Sequence, residues 1–233
     1  ERLVAFAAAR VGDAAWTRLS VPPEPLATFA DVYRTLLCRV FSLGLDGFVV
    51  RRRWPHVLHA FADGDPARVS RFNEVDLARF FTDDRVIRNA VKFAAACHNA
   101  TAVVDLEQAH GSVAAYVASL GGNGSRIAQD LVTRMQLVGP VTAARVVHEL
   151  GVDVFVPHPA SLRALRRLGW IAARRRPGAV IEEDTLPRSV SRAALSAALW
   201  ILATGGRRGT AAICGRAPQC ADCPLSGGCA MQA

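Results

Sequence analysis

Apolar residues recur every three or four positions along most of this chain of 233 residues. Because an α-helix has about 3.6 residues per turn, this spacing places apolar side chains on one helical face. The pattern is clearest in five segments, at residues 30–45, 66–81, 85–104, 127–150 and 192–203. The apolar–polar alternation that marks a half-buried strand is nearly absent. The sequence therefore predicts an all-α fold.

The chain combines a large apolar fraction with an excess of positive charge. Hydrophobic residues make up 51% of it, which is enough to bury a substantial core. Its 28 Lys and Arg residues exceed its 20 Asp and Glu residues and give a formal net charge of +8. This balance favours a polyanionic partner such as nucleic acid. The alternative is an ordinary soluble protein from a high-GC, Arg-rich proteome.

The sequence contains no run of 18 or more apolar residues and no signal-peptide pattern. We therefore expect a cytoplasmic protein without a membrane partner. In a reducing compartment, its six cysteines favour metal binding or reactive thiols over disulfides.

A Pro-containing, extended segment at residues 152–159 interrupts the helical pattern. It predicts a division into two helical lobes, one formed by residues 31–150 and the other by residues 1–30 together with 151–233. The stretch Arg-Arg-Arg-Pro-Gly at residues 174–178 is typical of a helix end that runs into a loop.

Four cysteines lie close together near the end of the chain, with the spacing C-x5-C-x2-C-x5-C: Cys214, Cys220, Cys223 and Cys229. Four thiolates can hold a tetrahedral zinc ion or an iron–sulfur cluster. Zinc ribbons usually contain two separate C-x2-C pairs, and this sequence has one, so a compact loop around a cluster fits better. Free or disulfide-bonded cysteines remain the third alternative.

The run from Cys214 to Cys229 resembles the C-terminal [4Fe-4S] loop of the endonuclease III branch of the helix-hairpin-helix (HhH-GPD) DNA glycosylase superfamily. The family's first spacing is six residues, whereas this chain has five. The resemblance implies that the four cysteines ligate one [4Fe-4S] cluster.

Residues 136–147 resemble the hairpin of the same superfamily, in which a Gly-containing turn joins two helices. We expect the Gly to permit the tight turn and the following helix N-terminus to bind a DNA phosphate. The expected DNA-binding residues here are Val138, Gly139 and Thr142. The lysine that gives related enzymes their lyase activity is replaced by Val141.

Residues 155–170 resemble, without gaps, the superfamily segment that carries the catalytic aspartate. His158 fills that slot. The resemblance therefore implies His158 as the catalytic residue, with a structural histidine at a loop-to-helix joint as the alternative. Asp153 is an auxiliary carboxylate or a capping residue, and Asp46 is a weaker candidate.

The first half of the chain resembles 3-methyladenine DNA glycosylase I, most clearly in V-I-R-N-x-x-K at residues 86–92. Arg39 stands where an acidic residue of the base pocket is expected, and Gly47 stands where a tryptophan is expected. The two resemblances together imply a six-helix barrel with the hairpin, facing a second lobe that carries the iron–sulfur loop.

The sequence thus predicts a monofunctional DNA glycosylase that acts on an extruded damaged or modified base. We expect a nucleoid-associated monomer that binds double-stranded DNA, with Arg53 and Arg163 contacting the phosphates. One alternative is a DNA-binding module that kept the fold but lost base excision. Another is a helical regulator that binds zinc.

Overall fold

The computed structural model describes residues 1–171, 186–187, 189–207 and 209–230. The predicted helix end at residues 174–178 lies outside the described residues. The described helices are α1 (Arg2–Val11), α2 (Asp13–Ser20), α3 (Phe29–Ser42), α4 (Gly47–Ala60), α5 (Pro66–Val69), α6 (Glu74–Thr82), α7 (Ala90–His110), α8 (Val113–Ser119), α9 (Gly124–Arg134), α10 (Pro140–Glu149), α11 (Pro159–Arg167) and α12 (Arg192–Thr204).

The described residues also contain three short 3-10 turns, at Ala62–Gly64, Cys220–Asp222 and Ser226–Gly228. The described residues contain no strand, which confirms the all-α prediction for them. In the same part of the chain, no helix is both long and apolar enough to cross a membrane.

Side-chain caps explain where many of these helices begin. Thr28 and Asp31 form a reciprocal capping box at α3, and Asn73 and Asp76 form another at α6. Such caps satisfy backbone N–H groups that have no partner inside the helix. Single residues cap seven further described helices: Asp46, Asp65, Asn89, Ser112, Asn123, His158 and Ser191.

Residues Pro25–Val146 form one compact unit. Its long helix α7 packs against α3 and α5. Phe61 and Phe93 lie at the centre of an aromatic cluster, with ring centroids 5.3 Å apart, and the Phe80 ring lies 5.2 Å from that of Phe93. Tyr33 is fully buried and donates its hydroxyl to the Ala96 carbonyl at 3.2 Å. The aromatic packing supplies the apolar core of this unit.

The other compact unit consists of Glu1–Glu24 and Val147–Ala233. Helix α12 lies at its centre and contacts α1, α2 and α11. Nine of the thirteen α12 residues are buried, as expected for a helix that is apolar on every side. Gly205 ends α12 with a φ of 89°, and the Cys214 N–H then donates back to the Leu202 carbonyl at 2.8 Å.

Candidate functional site

One side chain from α7 holds the turn between α9 and α10. The Asn99 Nδ2 atom donates to the Gln136 carbonyl at 3.1 Å, and the Gln136 N–H donates to Asn99 Oδ1 at 2.7 Å. Asn99 is 1% exposed, so both bonds are shielded from water. The pair fixes the backbone where the predicted hairpin begins.

Leu137 adopts the unusual backbone conformation of this turn. Its φ is 57°, in the left-handed region that Gly reaches at little cost and Leu does not. The sequence-based explanation, that Gly139 permits the tight turn through its backbone, is wrong because Gly139 does not have a positive φ. A Cβ added at Gly139 would meet no atom within 4 Å, so this side of the turn is open.

The three predicted hairpin contacts differ in exposure. Val138 is 4% exposed, Gly139 is exposed and Thr142 is half-buried. Helix α10 begins at Pro140, and the Ala143 N–H donates to the Gly139 carbonyl at 2.9 Å, so the N–H groups of Val141 and Thr142 have no partner within the helix. Any ligand at the hairpin would therefore meet backbone N–H groups beside the open face of Gly139.

The Lys92 amine closes the C-terminal end of α3. Its Nζ atom donates to the Phe41 carbonyl at 3.0 Å and to the Leu43 carbonyl at 2.6 Å. Burial lowers the pKa of Lys92. Carbonyls at a helix C-terminus carry partial negative charge, which favours an ammonium group there. Lys92 thus fixes the loop between α3 and α4 against α7.

This loop and the first turn of α4 present apolar side chains to solvent. Phe48 is 63% exposed, and Leu43, Leu45 and Val49 are each 39% exposed. The Asp46 carboxylate accepts the Phe48 N–H at 2.7 Å and caps α4. The weaker catalytic candidate is therefore engaged in starting a helix.

Arginines occupy or border the two expected base-pocket slots. Arg39 is half-buried in the last turn of α3. At Gly47, an added Cβ would lie 3.4 Å from the Nη1 atom of Arg51, so this guanidinium partly fills the space beside the glycine. Positive charge is found where the resemblance predicted an acidic side chain and a tryptophan.

Arg53 already has two protein partners. Its Nη1 atom donates to the Asp84 carbonyl at 2.6 Å and to the Val86 carbonyl at 2.9 Å. Arg51 and Arg52 are exposed, whereas Arg53 is half-buried. Contact between Arg53 and DNA stays a prediction, but its guanidinium holds the segment that precedes α7.

Both predicted catalytic side chains in the second unit cap helices. Asp153 Oδ2 accepts the Arg192 N–H at 2.9 Å, and Oδ1 accepts the Ala193 N–H at 2.8 Å, at the start of α12. His158 caps α11, where its Nδ1 atom accepts the Ala160 N–H at 3.2 Å. With Nδ1 as the acceptor, the neutral imidazole carries its proton on Nε2. The catalytic roles of Asp153 and His158 stay predictions. The contacts observed here are those of the alternative roles, in which both side chains cap helices.

In the described part of this unit, the buried nitrogen atoms without a hydrogen-bond partner include Arg163 Nε and His148 Nδ1. Arg163, which was predicted to contact DNA, is half-buried. Desolvation lowers the pKa of His148, against the opposite influence of Glu149 and Asp153. Burial therefore favours the neutral form of the His148 imidazole.

The four clustered cysteines line a single cavity, together with apolar side chains that include Leu168, Leu202 and Ile213. All four are free thiols and half-buried. Burial raises the pKa of Cys223, as do the three neighbouring cysteines, and the Leu225 N–H opposes them. Across the described residues, no three His, Cys, Asp or Glu side chains converge closely enough to hold one metal ion.

Arg167, at the end of α11, binds the loop that carries these cysteines. Its Nη1 atom donates to the Gly215 carbonyl at 2.6 Å and lies 3.6 Å from Cys214 Sγ, and its Nη2 atom donates to the Arg216 carbonyl at 3.2 Å. The Cys229 thiol donates to the Arg167 carbonyl at 3.3 Å. Arg167 lies within residues 155–170, which resemble the superfamily segment, and the resemblance implied no role for it.

An open pocket with a volume of about 720 Å³ lies along α5 and α6, and none of the predicted site residues lines it. Two ion pairs neutralise part of its charge, Arg79 with Asp76 at 3.9 Å and Arg85 with Asp83 at 2.9 Å. Hydrogen bonds from Arg85 hold the pKa of Asp83 down to about 2. Because these side chains pair with each other, fewer charged groups of the pocket are available to bind a ligand.

Three solved structures with a similar backbone are each 20% identical to this chain. One is 3-methyladenine DNA glycosylase I from Staphylococcus aureus, with a TM-score of 0.50 over 58% of this chain and 83% of that one. A variant from the same organism matches with a TM-score of 0.50 over 63% and 90%. A variant in complex with 3-methyladenine matches with 0.50 over 58% and 84%. At this identity the likeness shows the fold alone.

Sequence comparison identifies the family. No curated protein sequence matches the chain. The family model described as methyladenine glycosylase matches residues 23–152, which is more than half of the chain and includes both the hairpin and the loop between α3 and α4. The protein therefore belongs to the methyladenine glycosylase family.

Proposed function

We propose that the protein is a monofunctional DNA glycosylase that excises a damaged or modified base from double-stranded DNA and works as a monomer. The family match over residues 23–152 carries this proposal. The net charge of +8 supports a DNA partner, because a basic protein gains affinity by displacing counterions from the phosphates. Val141 lacks the amine that a Schiff base requires, so the proposed enzyme leaves the abasic strand intact.

The hairpin is the proposed site for the DNA backbone. The open side of Gly139 allows a phosphate to approach, and the first turn of α10 offers N–H groups to its oxygens. Exposed Phe48 supplies a face for stacking on a base, with Arg51 and Arg52 in the next turn of α4. These contacts position DNA without reading its sequence.

The two arginines at the expected base pocket bear on which base is excised. Arg39, in the acidic slot, and Arg51, beside Gly47, both oppose a base that carries positive charge. We therefore propose a neutral or electron-rich base as the substrate.

Catalysis is assigned to His158, which fills the aspartate slot of the resembling segment. Its Nδ1 atom is engaged in the α11 cap, so it would take up a proton only by releasing the Ala160 N–H. The second candidate function is a DNA-binding module without excision. That alternative is favoured by the capping roles of Asp153 and Asp46, since each of these candidate carboxylates is engaged at a helix start.

We further propose that Cys214, Cys220, Cys223 and Cys229 hold a [4Fe-4S] cluster, as in the endonuclease III branch. Two observations fit this group: all four thiols line one cavity, and no disulfide joins any of them. Four thiolates are the ligand set of such a cluster. When bound, the cluster would cross-link the loop and supply a redox-active centre.

Release of free bases tests the enzymatic proposal. Purified protein is incubated with duplexes carrying alkylated, deaminated, oxidised or hypermodified bases, and the free base and any strand break are measured separately. We expect a neutral base to be released without strand cleavage, and no covalent complex after borohydride. His158→Ala should lower the rate about 10²-fold. His158→Asn keeps a side chain that can cap α11 but cannot act as a general base, so it is the matched control and should be as slow as His158→Ala.

Release of no base from any duplex, with salt-dependent DNA binding retained, would identify the binding module instead. Equal rates for the wild type and His158→Ala would refute the assignment of His158. A covalent borohydride product would refute the monofunctional assignment.

A further inference from the structure

Arg167 contacts the cysteine loop at both of its ends. Its guanidinium lies against Cys214, the first of the four cysteines, and its backbone carbonyl lies 3.3 Å from the sulfur of Cys229, the last, which donates to it only while protonated. The guanidinium also donates to two consecutive carbonyls, those of Gly215 and Arg216. One residue of α11 therefore determines where the loop begins and where it returns to the helix.

The apolar surroundings increase the effect of the Arg167 charge on the nearby sulfur. The cavity wall consists of Leu168, Leu202, Ile213 and Pro218 besides the cysteines and Arg167 itself. In an apolar environment, a positive charge acts more strongly on a nearby sulfur than it does in water. An N–H group that donates to a thiolate sulfur draws negative charge away from it.

We propose that Arg167 positions Cys214 and raises the reduction potential of the cluster through its guanidinium. This inference rests on the proposed cluster. Hydrogen bonds to the sulfurs and nearby charge are among the factors that set the potential of such clusters. Because reduction adds an electron to a site that four thiolates already make negative, an adjacent positive charge makes electron uptake easier.

Arg216 provides the matched control. It lies two residues after Cys214 in the same loop and carries the same charge, but it is exposed and meets Arg167 through its backbone carbonyl. Arg216→Gln therefore removes one positive charge from the loop and leaves the Arg167 contact with Cys214 in place. Arg167→Gln removes an equal charge together with that contact.

The experiment compares the wild type, Arg167→Gln, Arg167→Lys and Arg216→Gln, all purified without oxygen. Iron, acid-labile sulfide and visible absorbance measure how much cluster each protein holds. Voltammetry without DNA then measures the potential at which the cluster takes up one electron from the electrode. We expect Arg167→Gln to shift to a lower potential than both the wild type and Arg216→Gln, with Arg167→Lys between them. We also expect Arg167→Gln to lose its cluster several-fold faster in air.

The outcomes separate this inference from the proposal beneath it. A wild type without iron and sulfide overturns the cluster and the role of Arg167 together. A loaded Arg167→Gln protein with the potential of Arg216→Gln overturns the role of Arg167 alone. If Arg167→Gln holds no cluster, the potential of Arg167→Lys is compared instead. The lysine ammonium keeps the charge but cannot reproduce the guanidinium fork that binds Cys214 and the carbonyls of Gly215 and Arg216. An Arg167→Lys potential equal to that of Arg216→Gln overturns the inference.

Discussion

The side chain of Asn99 and the backbone of Gln136 exchange two hydrogen bonds, as paired residues do in an antiparallel ladder. The two residues are 37 positions apart, so the bonds tie the middle of α7 to the turn that precedes α10. This turn is the proposed phosphate site. Its geometry therefore depends on the side-chain amide of Asn99, which is buried and is not itself a proposed DNA contact.

Replacing Asn99 should therefore weaken both folding and DNA binding. Asn99→Ala leaves the Gln136 N–H and carbonyl without their partners, at a cost of about 1–3 kcal/mol in the free energy of unfolding. Denaturant unfolding measures that loss, and a DNA titration measures the affinity. Gln136→Ala is the control, since it keeps the backbone groups that Asn99 binds. Equal stability of the two variants would contradict the proposed role.

Arg52 and Arg53 should respond differently to the same substitution. Arg53→Gln removes the donor to Asp84 and Val86 and should cost about 1–3 kcal/mol of stability. Arg52 is exposed, and Arg52→Gln should instead weaken binding to all DNA sequences and reduce the salt dependence by about one counterion. The prediction fails if Arg52→Gln is the less stable protein or if Arg53→Gln alone changes the salt dependence.

Gly205 and Gly209 form a matched pair for testing the end of α12. Both have a positive φ, 89° and 81°, so alanine is strained at either position. A Cβ at Gly205 would lie 2.0 Å from the Thr210 carbonyl oxygen, whereas one at Gly209 meets no atom within 4 Å. Gly205→Ala should therefore lose at least about 2 kcal/mol more than Gly209→Ala in equilibrium unfolding. Similar losses would show that the backbone moves aside easily.

His148 should make folding sensitive to mild acid. Burial lowers its pKa in the folded protein below the ordinary value of 6.5, so the unfolded chain binds a proton first as the pH falls. Its contribution to stability is complete above 6.5 and is lost as the pH falls from there toward the folded pKa. His148→Gln should remove this dependence. Unfolding curves at pH 7.5 and 5.5 test it, and a wild type whose loss of stability on acidification equals that of the variant would refute it.

The helices could be predicted from the sequence more closely than their breaks. Residues 192–203 were predicted as helical, and α12 spans Arg192–Thr204. The predicted segment 66–81 divides into α5 and α6, because Asn73 forms a capping box that starts a second helix. Helical periodicity continues through such a break when both helices bury the same kind of face. Capping residues inside a periodic segment are the signal that would have located the division.

The candidate site was harder to predict, since its side chains are engaged by distant backbone groups. The spacing of the four cysteines indicated a shared site, and the structure places all four around one cavity. The basic run at residues 51–53 gave no sign that Arg53 binds carbonyls 31 and 33 residues away. Asp153 likewise binds N–H groups 39 and 40 residues away. Tertiary packing decides such contacts, and local pattern does not contain them.

The left-handed backbone of Leu137 has an implication for engineering and for natural variation. A leucine held at a φ of 57° stores about 1–2 kcal/mol that glycine or asparagine would release. Its side chain is 39% exposed, so the surface that it still buries offsets part of that strain. The hairpin thus offers a place where a single change can raise thermostability while the turn keeps its shape, and where β-branched residues should be rejected by selection.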